Sequence, residues 1–386
     1  DVIVAVVDQG VKYDHEDLAP NMWVNQAELN GAEGADDDGN GYVDDIYGYN
    51  FITNSGTLTF SQEMSHGTHV AGTVAAVNNN GRGVCGIAGG RSNSGGVRIM
   101  SCQIMGNSSG ANKGNPIVKA FEYAWTNGAI IAQNSWGYSL TNVNGEKITP
   151  EQFEQEWESN YGIIRDAIDT FIRGAGTKNP NSPLRGGLVI FAAGNDGDIY
   201  GDARRYPAAY DAVIAVGAMD WSFRPAYYSD YGSWVDITAP GGDIYTSGPQ
   251  DGYGMILSTI LCDDAINFQG GPRSGYGFMQ GTSMACPHMS GVAALGLSYA
   301  LKQGKHYTRN EFISMLLTSV NDMERYLDGT KESNGTMYLE NYRKQLGTGA
   351  VDAYQLLMQI EGTPCLKVGV GAEELVPLTQ FFGGSA

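Results

Sequence analysis

Asp1-Val2-Ile3-Val4-Ala5-Val6-Val7-Asp8-Gln9-Gly10 opens the chain with an unbroken apolar run between two aspartates. The run is short, mostly β-branched and shows no polar alternation. It reads as a strand buried on both faces, the habit of a parallel sheet. Similar short runs recur at 97–105, 130–133, 188–192 and 213–216, and helical patterns lie between them at 66–77, 116–127 and 151–173. This alternation predicts an α/β fold of three layers, a mostly parallel twisted sheet with helices on both faces. The helix over 151–173 is the best signalled, with Thr149 to cap, Pro150 at the first helical position and Gln152 to complete a capping box. Further helices are expected over 282–301, 307–320 and 350–360.

With 42% apolar residues in 386, the chain can bury a sizeable core, which excludes intrinsic disorder. Its 23 basic and 42 acidic residues leave a net charge of −19, which argues against a nucleic-acid partner. No stretch approaches the roughly 20 apolar residues of a membrane helix. The chain opens inside an apolar run, so the sequence reads as an excised or processed fragment, and the missing signal peptide says little about location. Five cysteines (Cys85, Cys102, Cys262, Cys286 and Cys365) include no Cys-x-x-Cys pair, which excludes a zinc ribbon; they read as buried free thiols. From residue 361 the composition turns to Pro, Gly and short β-like pieces, as in a linker or the start of a truncated neighbouring domain.

Four residues carry candidate chemistry. Asp8 ends a buried strand, and the carboxyl ends of parallel strands face the functional crevice. Alone, it is most simply a turn residue. His66 opens a helix behind Ser65, a plausible cap, where the helix N-terminus favours a neutral imidazole able to accept a proton. His66 and His69 are spaced to share a metal, but no third ligand follows. Ser283, in Gly281-Thr282-Ser283-Met284-Ala285, starts another helix. There a base could activate its hydroxyl and its own N–H could stabilise an oxyanion. Alone, it is most simply a capping serine. Asn195, in Ala192-Ala193-Gly194-Asn195-Asp196-Gly197, follows an apolar strand. Its amide could donate to an oxyanion, or simply make a turn.

Taken together, the order Asp, His, Asn, Ser with these neighbours resembles the subtilisin family of serine proteases. The flanks Val7-Asp8-Gln9-Gly10, His66-Gly67-Thr68-His69-Val70-Ala71-Gly72 and Gly281-Thr282-Ser283-Met284-Ala285-Cys286-Pro287-His288 carry the match. Gly347-Thr348-Gly349-Ala350-Val351-Asp352-Ala353 looks like the family's closing element. The expected division is therefore a peptidase domain over 1–360 and a linker or new domain over 361–386. The resemblance implies a serine endopeptidase with Ser283 as nucleophile, His66 as base then acid, Asp8 as its orienter, and Asn195 with the Ser283 N–H as oxyanion hole. It implies that a substrate strand lies between a segment from Gly106 to Gly110 and another at Ser135, Trp136 and Gly137. The latter, with Ala192, Ala193 and Gly194, would wall the primary specificity pocket. A cis peptide bond is expected at Tyr206–Pro207.

Asp36-Asp37-Asp38-Gly39-Asn40-Gly41-Tyr42-Val43-Asp44-Asp45 has oxygen side chains at positions 1, 3 and 5, then a glycine and a carbonyl at 7. EF-hand-type loops wrap Ca²⁺ this way. The twelfth position is Tyr47 rather than Glu, so the expected ligands are Asp36, Asp38, Asn40, the Tyr42 carbonyl and Asp45. Arg205 aligns near the floor of the primary pocket and would favour an acidic side chain or shorten the pocket. Asp196 pulls toward basic residues, so the sequence leaves specificity open. Cys286 reads as a small buried residue. The expected partners are protein or peptide substrates, with a propeptide absent from this chain, and the expected location is extracellular or the cell surface. A catalytically silent binding domain and an esterase are the alternatives. The esterase pattern Gly-x-Ser-x-Gly and its residue order both fail here.

Overall fold

A computed structural model describes residues 1–61, 64–91, 95–106, 115–141, 144, 146–246, 253–262 and 275–363. Among these, a nine-stranded sheet runs from Gly48–Asn50 at one edge through Arg98–Gln103, Ile3–Asp8, Ile131–Asn134, Leu188–Ala192, Ile214–Met219, Ile237–Pro240 and Ala350–Val351 to Val320–Asn321. Every neighbouring pair is parallel except the last, where Val320 pairs antiparallel with Val351. Ile3–Asp8 sits where the chain order reverses, with Arg98–Gln103 on one side and Ile131–Asn134 on the other. Such a switch point opens a crevice at the carboxyl ends of the strands.

The side chains of that strand alternate between two cores. Val2, Val4 and Val6 join Val70, Val74 and Ala285, whereas Ala5 and Val7 join Phe121, Ile168 and Phe171. This is the period of two expected of a strand buried on both faces. One layer is made by the histidine helix (His66–Ala75) and the serine helix (Thr282–Lys302), which pack together. The opposite layer contains Pro116–Thr126 and Gly162–Gly174. Fold class and layer order follow the sequence reading. The strands at 48–50 and 237–240 were not foreseen, because their runs are too short to signal; the helices expected over 307–320 and 350–360 are shorter, Arg309–Thr318 and Ala353–Glu361, and their outer residues form the strands Tyr307–Thr308, Val320–Asn321 and Ala350–Val351 instead.

The single helix expected over 151–173 is two, Pro150–Asn160 and Gly162–Gly174. The capping box of Thr149 and Gln152 is present. The break falls at Tyr161, whose ψ of 19° leaves the helical range, just before a glycine that gains little from helix. Arg165 reaches back to the carbonyls of Trp157 and Glu158. The first of these helices stacks Trp157 on Tyr206 at 5.0 Å, beside the cis Tyr206–Pro207 bond. The Tyr206 hydroxyl donates to Glu154 Oε1 at 3.0 Å. The insertion thus buttresses the wall of the site described below.

A hairpin, Thr330–Ser333 with Gly335–Tyr338, is held by a buried ion triad. Lys331 Nζ lies 2.8 Å from both Asp220 Oδ2 and Asp243 Oδ2 and donates to the Pro225 carbonyl at 2.7 Å. Asp243 follows Gly241 and Gly242, and the Gly241 carbonyl accepts from the Gly281 amide at 3.0 Å, two residues before Ser283. Removing one member of a buried charge cluster leaves the others unpaired. Lys331→Met is therefore expected to destabilise the fold by about 3–5 kcal/mol in urea unfolding.

Of the described cysteines, Cys102 and Cys286 are buried but Cys85 and Cys262 are exposed, which corrects the uniformly buried reading. All four are free. Cys365, and the segment 364–386 of the expected linker, lie outside the described residues.

Candidate active site

Asp8 closes the first strand and is fully buried. Its Oδ1 lies 2.8 Å from Nδ1 of His66 and accepts from the Gln9 amide at 2.6 Å. A carboxylate on Nδ1 holds the proton there and leaves Nε2 as the acceptor. The Gln9 side-chain oxygen accepts from the His66 amide at 3.2 Å, so Gln9 satisfies the start of the histidine helix. Ser65 stands at the capping position but does not cap; its hydroxyl instead accepts from the Leu261 amide at 3.0 Å. Gly67 is required by close approach. A Cβ there would lie 2.3 Å from the Gln9 carbonyl oxygen.

The balance on His66 differs from the expectation of a simply neutral imidazole. Burial pulls its pKa down, but the charge of Asp8 and its hydrogen bond outweigh burial and raise the pKa above the usual value. The carboxylate of Asp8 is what raises the ring above that value.

Ser283 is the second residue of the serine helix. Gly281 occupies the capping position, so Ser283 is not a capping serine. Pro287, four residues on, has no N–H to offer the Ser283 carbonyl. The Ser135 hydroxyl supplies that bond at 2.7 Å, and Gln133 donates in turn to Ser135 at 3.0 Å. The Ser283 hydroxyl donates to the Ser135 carbonyl at 3.2 Å, so its hydrogen bond runs to Ser135 and not to His66. Sequence reading missed the role of the Ser135 side chain. Its signal was the proline four residues after Ser283. Cys286 is buried, with burial pushing its thiol up, and it donates to the Asn134 carbonyl at 3.4 Å.

Asn195 is anchored from the serine helix. Its Oδ1 accepts from the Thr282 amide at 2.8 Å and from the Thr282 hydroxyl at 2.9 Å. Two donors on one atom settle the orientation of the amide and leave Nδ2 to donate elsewhere. Thr282, also missed, receives the Gly194 amide at 3.1 Å and so ties the strand end to the helix. Gly281 has φ 147°, and a Cβ there would lie 3.6 Å from both Asn195 Nδ2 and the Ser283 amide nitrogen. The two donors therefore flank one small space that a glycine keeps open.

A cavity of about 250 Å³ adjoins this space. Trp136, Gly137, Ala192, Ala193, Gly194 and Arg205 line it together with Asn195 and Ser283. Ser135 does not; it sits behind, against Ser283. Gly106 is exposed, while Gly110 lies outside the described residues. A larger cavity of about 680 Å³ opens at the amino ends of strands, beside Ile3 and Arg98, away from Ser283.

The subtilase family (peptidase S8) model matches residues 1–344. The chain belongs to the subtilase family. It is 30% identical over 341 residues to the major intracellular serine protease of Bacillus subtilis strain 168, which spans 87% of this chain and 80% of that protein. It is 28% identical over 307 residues to subtilisin-like protease 1 of Plasmodium berghei strain Anka, covering 76% of this chain but only 42% of the relative. Among solved structures, a protease from Pseudoalteromonas arctica PAMC 21717 is 27% identical, with a TM-score of 0.57 over 93% of this chain and 90% of that one. A halolysin-like relative from Natrialba magadii, 30% identical over 77% of this chain and 40% of its own length, is described as extracellular, whereas the Bacillus subtilis relative is intracellular. Family membership therefore leaves location open.

The acidic loop comes together as a network. Asp36 and Asp38 approach Glu28, each offering a carboxylate oxygen within 4.8 Å of the others. Glu28 comes from the short helix Gln26–Asn30, so no spacing within the loop announces it. Asp38 and Asp45 share the side-chain amides of Asn25 and Asn40 at 2.8–3.1 Å. Tyr123 also donates to Asp45 at 2.7 Å. Burial raises Asp45 to about 6, against the pull of these hydrogen bonds. The ring of Tyr42 packs edge-on against Tyr49 and Tyr123. Among the described residues no helix is long and apolar enough to cross a membrane.

Proposed function

We propose that this subtilase is an endopeptidase in which Ser283 attacks the peptide carbonyl. His66 takes its proton and returns it to the leaving amine, and Asp8 holds His66. The observation that carries this reading is the 2.8 Å contact of the buried Asp8 with His66 Nδ1. It leaves Nε2 as the one ring nitrogen able to accept a proton. The oxyanion would be held by Asn195 Nδ2 and the Ser283 N–H, and the substrate strand would run past Gly106, Gly110 and Ser135–Gly137. Casein digestion that disappears with Ser283→Ala, at unchanged far-UV circular dichroism, tests the assignment. Equal digestion by the variant contradicts it. Asn195→Ala is expected to lower kcat by about 10²–10³-fold with KM little changed, as seen in peptide kinetics.

The acidic loop fits a calcium ion, because Glu28 from the neighbouring helix brings its carboxylate within 4.8 Å of those of Asp36 and Asp38, three hard oxygen donors in one place. Glu28, Asp36, Asp38, Asn40, Asp45 and the Tyr42 carbonyl would hold it. The ion would supply structural cross-linking of the loop. At a hundredfold excess over its dissociation constant Ca²⁺ should stabilise the fold by about 2.7 kcal/mol. A rise in Tm on adding Ca²⁺, reversed by EDTA and absent in Asp38→Ala, checks this. Placement outside the cell, where calcium is abundant, belongs to the same proposal.

A further inference from the structure

The serine helix holds the side-chain oxygen of Asn195, but a residue far along the chain holds its backbone. Asp230 lies in the loop after the strand Ile214–Met219. The Ser229 hydroxyl ties that loop to the strand by accepting from the Ala218 amide at 2.8 Å. The Asp230 amide donates to the Gly194 carbonyl at 2.9 Å, and its Oδ1 accepts from the Asp196 amide at 2.9 Å. These belong to the two peptide groups on either side of the Asn195 Cα. One residue therefore constrains both backbone torsions of Asn195. Since Thr282 also binds Oδ1 of the Asn195 amide, the direction of Nδ2 has little freedom left. Gly194, at φ 127°, permits the close approach: a Cβ there would lie 2.0 Å from Asp230 Oδ2. Asp230 is 1% exposed, so water does not compete for these groups.

Both oxygens of this carboxylate face donors. Oδ1 meets the Asp196 N–H, and Oδ2 lies 3.6 Å from Nε of Arg205, whose Nη2 donates to Asp196 Oδ2 at 2.6 Å. Burial raises Asp230 to about 7, and the charges of Asp196 and Asp198 add to the rise, whereas Arg205 and the Asp196 N–H oppose it. A carboxamide of the same shape has one accepting end and one donating end. In Asp230→Asn the NH₂ must face either Arg205 or the Asp196 N–H. The substitution thus disturbs the pairing while hardly changing the volume of the side chain.

We propose that Asp230 is a positioning residue for the oxyanion hole, holding Asn195 so that Nδ2 meets the charge that develops on the substrate carbonyl. The inference rests on the reading of Asn195 given above. That charge exists only in the transition state, so the loss should appear in kcat and not in KM. Asp230→Asn, Asn195→Ala and the double variant are compared with wild type on one peptide, each rate normalised to active sites titrated to completion with a fluorophosphonate. Asp230→Asn alone should lower kcat by about 10–10²-fold, the cost of misplacing a catalytic group by ~1 Å. In the Asn195→Ala background the same substitution should change kcat by less than about twofold, because the group it positions is gone. A residue that merely supports the fold would cost the same factor in both backgrounds. That result, or a kcat of Asp230→Asn equal to wild type, overturns the inference and leaves the oxyanion reading standing. A kcat of Asn195→Ala equal to wild type removes both. If Asp230→Asn does not fold, Asp230→Ala, which removes the acceptor altogether, takes its place in the cycle with the same expectations.

Discussion

Ser283→Ala is expected to lower kcat by about 10⁶-fold, the scale associated with losing the nucleophile of such a triad. The hydroxyl is inert at neutral pH unless a base takes its proton. Cys286, three residues on, cannot replace it, because it is buried and burial holds its thiol protonated. Groups that act as a unit are not additive. Adding His66→Ala to Ser283→Ala should therefore cost little further, whereas His66→Ala alone should cost nearly as much as Ser283→Ala. Single-turnover kinetics on one peptide with the three variants would show this. A double variant far below either single would mean that Ser283 and His66 act independently.

Asp8→Asn should lower kcat by about 10⁴-fold near neutral pH, through the wrong tautomer of His66. Asp8 is buried, and its Oδ1 is the partner of His66 Nδ1. An asparagine amide placed there would donate to Nδ1 and drive the proton to Nε2, the atom that must accept from Ser283. The pH profile carries a second signature. His66 must be neutral to act as base, so kcat/KM rises with pH as the ring loses its proton. Its pKa is raised by Asp8 against burial, so the acidic limb in the wild type should have its midpoint above the ordinary histidine value of about 6.5. In Asp8→Asn the raising charge is gone and burial remains, so the midpoint should fall. An unchanged midpoint would show that Asp8 does not set the protonation of His66.

The three positions proposed as a triad stand out in the sequence because each lies in a local motif whose neighbours have their own physical tasks. Gly67 admits the Gln9 carbonyl, Gly281 adopts a backbone that other residues avoid, and Asp8 ends a run buried on both faces. What the sequence concealed is carried by contacts between distant segments. Asp230 meets Arg205 across 25 residues, Lys331 meets Asp220 and Asp243, and Glu28 reaches a loop that has its own complete-looking pattern. The Ser135 hydroxyl was hidden differently. It answers a vacancy made by Pro287, and a missing N–H leaves no mark at the position that compensates for it. The continuous 3.6-residue pattern over 151–173 misled because both halves bury apolar faces on either side of the Tyr161 break.

The most direct test of the account is intact-mass detection of a fluorophosphonate adduct on the folded chain. One adduct on the wild type, absent from Ser283→Ala and strongly slowed in Asp8→Asn, is the predicted result, since only an activated serine attacks phosphorus at neutral pH. A folded wild type that takes no adduct, or an adduct that survives Ser283→Ala, would contradict the claim that Asp8 and His66 activate Ser283.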